Sequence, residues 1–99
     1  MINISEERIK RILATTKPRV LRTAKQIAQG LTDEEIAVKE DLSLAGVNSR
    51  VYSFRKLWDS LPELREKLSH PRALGVFTTK FINYLEANYP LEFKEALEG

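Results

Sequence analysis

Apolar residues recur along this chain at intervals of three and four positions, the spacing of helices that bury one face. The first two helices predicted from this pattern cover residues 5–14 and 18–29. Pro18 suits the first turn of the second helix, and Gly30 suits the left-handed cap that ends it. Strand-like alternation is nearly absent, so the pattern predicts an all-α fold.

Two segments have the pattern of a capping box, in which a hydroxyl side chain and a glutamate three residues later cap a helix start reciprocally. The first, Thr32–Glu35, predicts a short helix with Ile36 and Ala37 inward. The second, Ser60–Glu63, predicts a helix that ends near His70-Pro71. Between them, Ser43 is a suitable N-cap for a helix whose apolar stripe is Leu44, Val47, Val51, Phe54 and Trp58.

The middle of the chain meets the geometric requirements of a helix-turn-helix near residues 33–58. Ala37 is the small residue that permits close packing, Leu42 is the apolar residue in the turn, and Val47 is buried in the second helix. We therefore predict one domain over residues 1–99. It comprises five to six helices, with a tri- or tetrahelical helix-turn-helix core at 18–58 and a C-terminal helical extension at 60–99.

The second helix of such a motif contacts base edges in the DNA major groove with its outer face. At 3.6 residues per turn, burial of Val47, Val51 and Phe54 turns a polar face outward. Asparagine pairs with adenine, serine donates to bases or phosphates, and tyrosine and alanine contact thymine methyl groups. The predicted base-reading residues are Ala45, Asn48, Ser49 and Tyr52.

Charge is distributed unevenly along the chain. Residues 1–58 hold eleven Lys/Arg and seven Asp/Glu, whereas residues 59–99 hold five and seven. No acidic residue occurs from Ser43 to Trp58. Either a polyanion-binding face or ordinary solvated helices would produce this asymmetry. On the first interpretation, the predicted phosphate-binding residues are Thr32, Lys17, Arg19, Arg22, Lys25, Arg50, Arg55 and Lys56.

The segment from Val20-Leu21-Arg22 through Ile27-Ala28-Gln29-Gly30-Leu31-Thr32 to Glu35-Ile36-Ala37 resembles LuxR/GerE-type DNA-binding domains. The resemblance covers residues 18–58 and implies a tetrahelical helix-turn-helix, with a support helix at 18–29 and a recognition helix at 44–58. Glu40 and Asp41 stand where that family usually has leucine and glycine, so the turn is expected to differ or shift. Phage small terminase subunits and transposase arms share a weaker similarity at residues 51–55 and 62–64, which better accommodates the C-terminal extension.

Other classes of function find little support in the composition. Cysteine is absent, the four glycines are scattered, and the single histidine, His70, precedes a proline. We therefore predict no enzyme activity, metal site or cofactor. No apolar run is long enough to span a membrane and the N-terminus lacks a signal peptide's apolar core, so we expect a cytoplasmic protein.

The predicted helix at 73–89 has a wider apolar face than packing on one side requires. It is either buried at the centre of the domain or forms a homodimer interface, which we slightly favour. The predicted interface residues are Leu74, Phe77, Phe81, Tyr84 and Leu85. The leading hypothesis is a homodimeric, sequence-specific regulator that binds double-stranded DNA. The alternatives are a protein-interaction adaptor that uses this apolar helix, and a terminase-like DNA recognition subunit.

Overall fold

The computed structural model of the protein describes residues 4–61 and 73–99, and within these ranges it is entirely helical. The helices are α1 (Glu6–Thr15), α2 (Pro18–Ala28), α3 (Asp33–Lys39), α4 (Leu44–Ser60), α5 (Ala73–Asn88) and α6 (Pro90–Glu98). The predicted all-α class of five to six helices is confirmed. The helix predicted after Ser60, the His70-Pro71 turn and the side chains of Trp58 and Leu74 lie outside the described part of the chain.

Local sequence signals explain where the first helices begin and end. The Ser5 hydroxyl accepts a hydrogen bond from the N–H of Arg8 and caps α1 (3.3 Å). Pro18 occupies the first turn of α2, as predicted. Helix α2 ends at Ala28, and Gly30 follows its C-cap with a φ of 90°, which allows the N–H of Leu31 to donate back to the Gln26 carbonyl (3.1 Å).

Helix α3 begins with the predicted capping box. The N–H of Glu35 donates to the Thr32 hydroxyl (3.2 Å), and the N–H of Thr32 donates to a Glu35 carboxylate oxygen (3.0 Å). The hydrogen bond from the Thr32 backbone, with a smaller contribution from its side chain, lowers the pKa of Glu35 below its usual value. The Thr32 residue is exposed, and its hydroxyl already accepts a hydrogen bond as the N-cap of α3.

The turn between α3 and α4 contains a residue in the left-handed conformation that usually favours glycine, although the turn has no glycine. Asp41 adopts a φ of 54°, the left-handed conformation that aspartate tolerates better than most residues. The N–H of Leu42 then donates to the Ala37 carbonyl (2.8 Å), which closes the end of α3.

The larger core cluster surrounds α5. The rings of Phe54, Phe77 and Phe81 form a triangle with centroids 6.0–6.2 Å apart, which ties α4 to α5. Helix α5 also packs against α2 and α6. The remaining buried members of this cluster are Ile4, Ile9, Leu13, Val20, Leu21, Ala24, Leu61, Ile82, Leu85 and Phe93.

This packing corrects the predicted dimer interface. Phe77, Phe81 and Leu85 have no exposed surface in the single chain. Most of the described apolar face of α5 is buried against α2, α4 and α6 of the same chain, in line with the alternative interpretation, while Val76 is exposed. Tyr84 is half-buried and its ring lies 6.1 Å from that of Tyr89, while the side chain of Leu74 is not described.

A second, smaller core cluster holds α3 and α4 together. Its buried residues are Ile36, Ala37 and Val47, and Leu42 packs against them from the turn. Ala37, Leu42 and Val47 therefore occupy the three positions that the sequence pattern assigned to them. This cluster determines which face of α4 is turned away from the protein.

Candidate nucleic-acid interface

The outer face of α4 is open to solvent and polar. All four predicted base-reading residues are exposed, and Tyr52 is 67% exposed. Val47 and Phe54 are buried on the opposite side of the same helix and hold it against the two core clusters. The exposed residues of this face are Ala45, Asn48, Ser49 and Tyr52, and no acidic residue occurs from Ser43 to Trp58.

A groove of about 430 Å³ runs beside this face, between the N-terminal end of α2 and α4. Its described lining contains no acidic residue. Four lining residues are basic and four carry hydroxyl groups, with Val20 as the apolar floor. The basic residues are Lys17, Arg19, Arg50 and Lys56, and the hydroxyl-bearing residues are Thr15, Thr16, Ser49 and Ser53.

The structure brings together only half of the predicted phosphate-binding residues. Arg22, one turn after Arg19, points towards α6 and donates from Nη1 to the Leu97 carbonyl (2.9 Å). That bond joins α2 to the last turn of α6. The remaining residues that do not line the groove are Thr32, which caps α3, the half-buried Lys25 and the exposed Arg55.

Arg50 lines the groove but is also engaged inside the protein. Its Nη1 lies 3.7 Å from a Glu40 carboxylate oxygen and 3.5 Å from the Thr23 hydroxyl. The side chains of Arg50 and Glu40 are only 19% and 22% exposed. Glu40 Oε1 is buried and makes no hydrogen bond to another described residue. Arg50 therefore links α2, α4 and the turn after α3, and its charge is largely offset by Glu40.

We expect Arg50→Met to lower the free energy of unfolding by about 1–3 kcal/mol, because it leaves the partly buried Glu40 carboxylate without its cation. Glu40→Gln in the same chain should recover part of this loss, since a neutral amide is less costly to bury than a carboxylate. Urea unfolding of both single variants and the double variant measures the coupling. Strictly additive losses would show that the pair is not a stabilising contact.

Besides the apolar Val20, three hydroxyl-bearing groove residues were not among the predicted site residues. They are Thr15, Thr16 and Ser53, of which Thr15 and Ser53 donate their hydroxyl protons to carbonyls of their own helices. The Thr15–Lys17 segment just before Pro18 is polar and places a lysine at the start of a helix, a signal that could have suggested an anion site. The participation of Ser53 depends on which helix lies next to α4.

The described residues include no group of three or more His, Cys, Asp and Glu side chains with the arrangement of a metal site. None of the described helices combines the length and apolar character needed to cross a membrane. The chain matches no family model, and neither a curated protein nor a solved structure is significantly similar to it.

Proposed function

We propose that this protein binds double-stranded DNA in a sequence-specific manner, with α4 in the major groove and α3 as the first helix of a helix-turn-helix. The observation that carries the proposal is the exposed, carboxylate-free outer face of α4 beside a groove lined by basic and hydroxyl side chains. A role in transcription regulation is the ordinary use of such a motif and belongs to the same proposal.

In this proposal, the outer face of α4 contacts bases and the basic side chains beside it contact phosphates. Asn48, Ser49 and Tyr52 supply hydrogen-bonding and apolar groups suited to base edges. The basic side chains supply attraction to phosphates, which positions a protein on DNA without selecting a sequence. The small cluster of Ile36, Ala37 and Val47 supports the proposal further, because burial of Val47 in it leaves the polar face of α4 turned outward.

The proposal is tested by fluorescence anisotropy with a labelled random-sequence duplex at about 50 and 200 mM salt. We expect a Kd on the order of 10⁻⁶–10⁻⁴ M that weakens steeply between these concentrations, because binding to phosphates releases counterions. Absence of binding at the lower salt concentration would refute the proposed function.

If a specific site is selected from a random pool, we expect Asn48→Ala to weaken it by about 1–3 kcal/mol. Affinity for random DNA should change little, because a base contact adds nothing to non-specific binding. Asn83→Ala is a matched control, since Asn83 is an exposed asparagine on α5. Equal losses on specific and random DNA would contradict a base-reading role for Asn48.

The two alternative functions, a protein-interaction adaptor and a terminase-like DNA recognition subunit, differ in how well they fit the buried residues of α5. An adaptor that binds a protein through the apolar helix would need Phe77 and Phe81 at the surface, and both are buried. The same burial removes the basis for a homodimer through that face, so the proposal is made for the single chain. A terminase-like subunit would contact DNA through the same surface and would be distinguished by a ring-sized assembly on sizing chromatography.

A further inference from the structure

We propose that the groove between α2 and α4 holds the phosphodiester backbone of one DNA strand, next to the bases contacted by α4. This inference rests on the proposed function and adds the location of the backbone contact. It also assigns the contact to three of the predicted basic residues, Lys17, Arg19 and Lys56.

Charge is the first argument. Lys17, Arg19 and Lys56 are exposed, line the groove and make no ion pair with a described carboxylate. Arg50 at the same groove is offset by Glu40, so it contributes little net charge. Three cations that face one groove whose described lining contains no acidic residue create a local positive potential, which phosphate groups neutralise.

The second argument is the direction of α2. Its N-terminal end forms one wall of the groove, and α-helix geometry leaves the N–H of Arg19, in the first turn, without an acceptor inside the helix. Pro18 has no N–H, so it adds no further unsatisfied donor. The positive end of the helix dipole therefore adds to the side-chain charges and favours an anion at the groove.

The third argument is the position of the groove relative to the outer face of α4. Ser49 belongs both to that face and to the groove lining, and Lys56 lies about 10 Å further along the helix. A DNA strand whose bases reach Asn48 and Tyr52 would place its adjoining phosphates beside these two residues. Because the groove is open at the surface, the backbone of a long DNA strand can lie along it, and no strand end has to be inserted.

The test compares two triple variants that remove the same total charge. One is Lys17→Gln/Arg19→Gln/Lys56→Gln in the groove, and the other is Lys10→Gln/Lys80→Gln/Lys94→Gln at exposed positions outside it. Random-duplex affinity is measured at several salt concentrations from about 50 to 200 mM, and thermal unfolding confirms that each variant is folded.

We expect the groove variant to reduce the slope of log affinity against log salt by about 2.7, or about 0.9 for each phosphate that the protein no longer neutralises. The decrease in affinity between the two salt limits would then shrink by about 40-fold, while the control variant retains most of the wild-type slope. Equal slopes for both variants would overturn the groove assignment and leave the proposed function standing. A wild-type protein that fails to bind DNA would refute both.

A second readout locates the contact directly. Backbone amide chemical shifts are recorded while a short random duplex is added to the wild-type protein, and inorganic phosphate is added in a parallel titration. We expect the duplex to shift the amides of Arg19, Ser49 and Ser53 most strongly. Duplex-induced shifts confined to residues outside the groove would overturn the assignment. Shifts of equal size and affinity with inorganic phosphate would identify a small-anion site instead of a backbone contact.

Discussion

Phe81→Ala is expected to lower the free energy of unfolding by about 3–5 kcal/mol, because it leaves a cavity where a fully buried ring stood. The loss includes two aromatic contacts, to Phe54 and Phe77, at centroid distances of 6.1 and 6.0 Å. A domain of this size is ordinarily stable by about 5–15 kcal/mol, so this one change removes a large share of its stability. Urea unfolding measures the effect.

The same variant discriminates between a core residue and an interface residue. If Phe81 lies in the core of each chain, the loss of stability does not depend on protein concentration, and sizing chromatography shows the same mass before and after substitution. Leu91→Ala is the control, because Leu91 is 70% exposed and its truncation should change stability by no more than about 0.5 kcal/mol. A change of oligomeric mass without unfolding would show instead that Phe81 lies in a subunit interface.

Ile36→Ala is expected to destabilise the packing of α3 against α4 by about 2–5 kcal/mol. This second large effect should be confined to one part of the protein. Ile36 is fully buried, but its cluster contains only two other buried residues, Ala37 and Val47. Because the Phe54–Phe77–Phe81 triangle is separate from that cluster, we expect α3 to open while the larger core persists. Hydrogen exchange would then accelerate in α3 more than in α5.

The proposed DNA binding would provide a functional readout of the same variant. When α3 opens, Val47 loses the surface against which α4 is positioned, so random-duplex affinity should fall together with the protection of α3. Val38→Ala is the matched control on the same helix, because Val38 is 84% exposed and packs against little. Similar losses of stability in the two variants would contradict the proposed role of the small cluster.

The exposed outer face of α4 was predictable from the sequence because it depends on one helix. Once Val47 and Phe54 are placed inward, the helical repeat leaves little freedom in where Asn48 and Tyr52 point, and both are exposed. The basic residues were harder to assign. Arg19 and Arg22 are three positions apart on α2, yet one lines the groove and the other binds the Leu97 carbonyl. Which helix lies beside each arginine depends on contacts distant in sequence.

The helices themselves, their caps and the turn between α3 and α4 follow from neighbouring residues, and most could therefore be predicted. Thr32 and Glu35 lie within one helical turn of each other, so their capping box requires no tertiary contact. Only the folded chain decided that Phe77, Phe81 and Leu85 on the apolar face of α5 are buried within the same chain, where α5 packs against α2, α4 and α6. Periodicity reports how much of a helix is apolar, but a face buried in its own chain and a face buried against a second chain produce the same pattern. The ion pair between Arg50 and Glu40 was decided in the same way, because their proximity depends on how α4 packs against the end of α3.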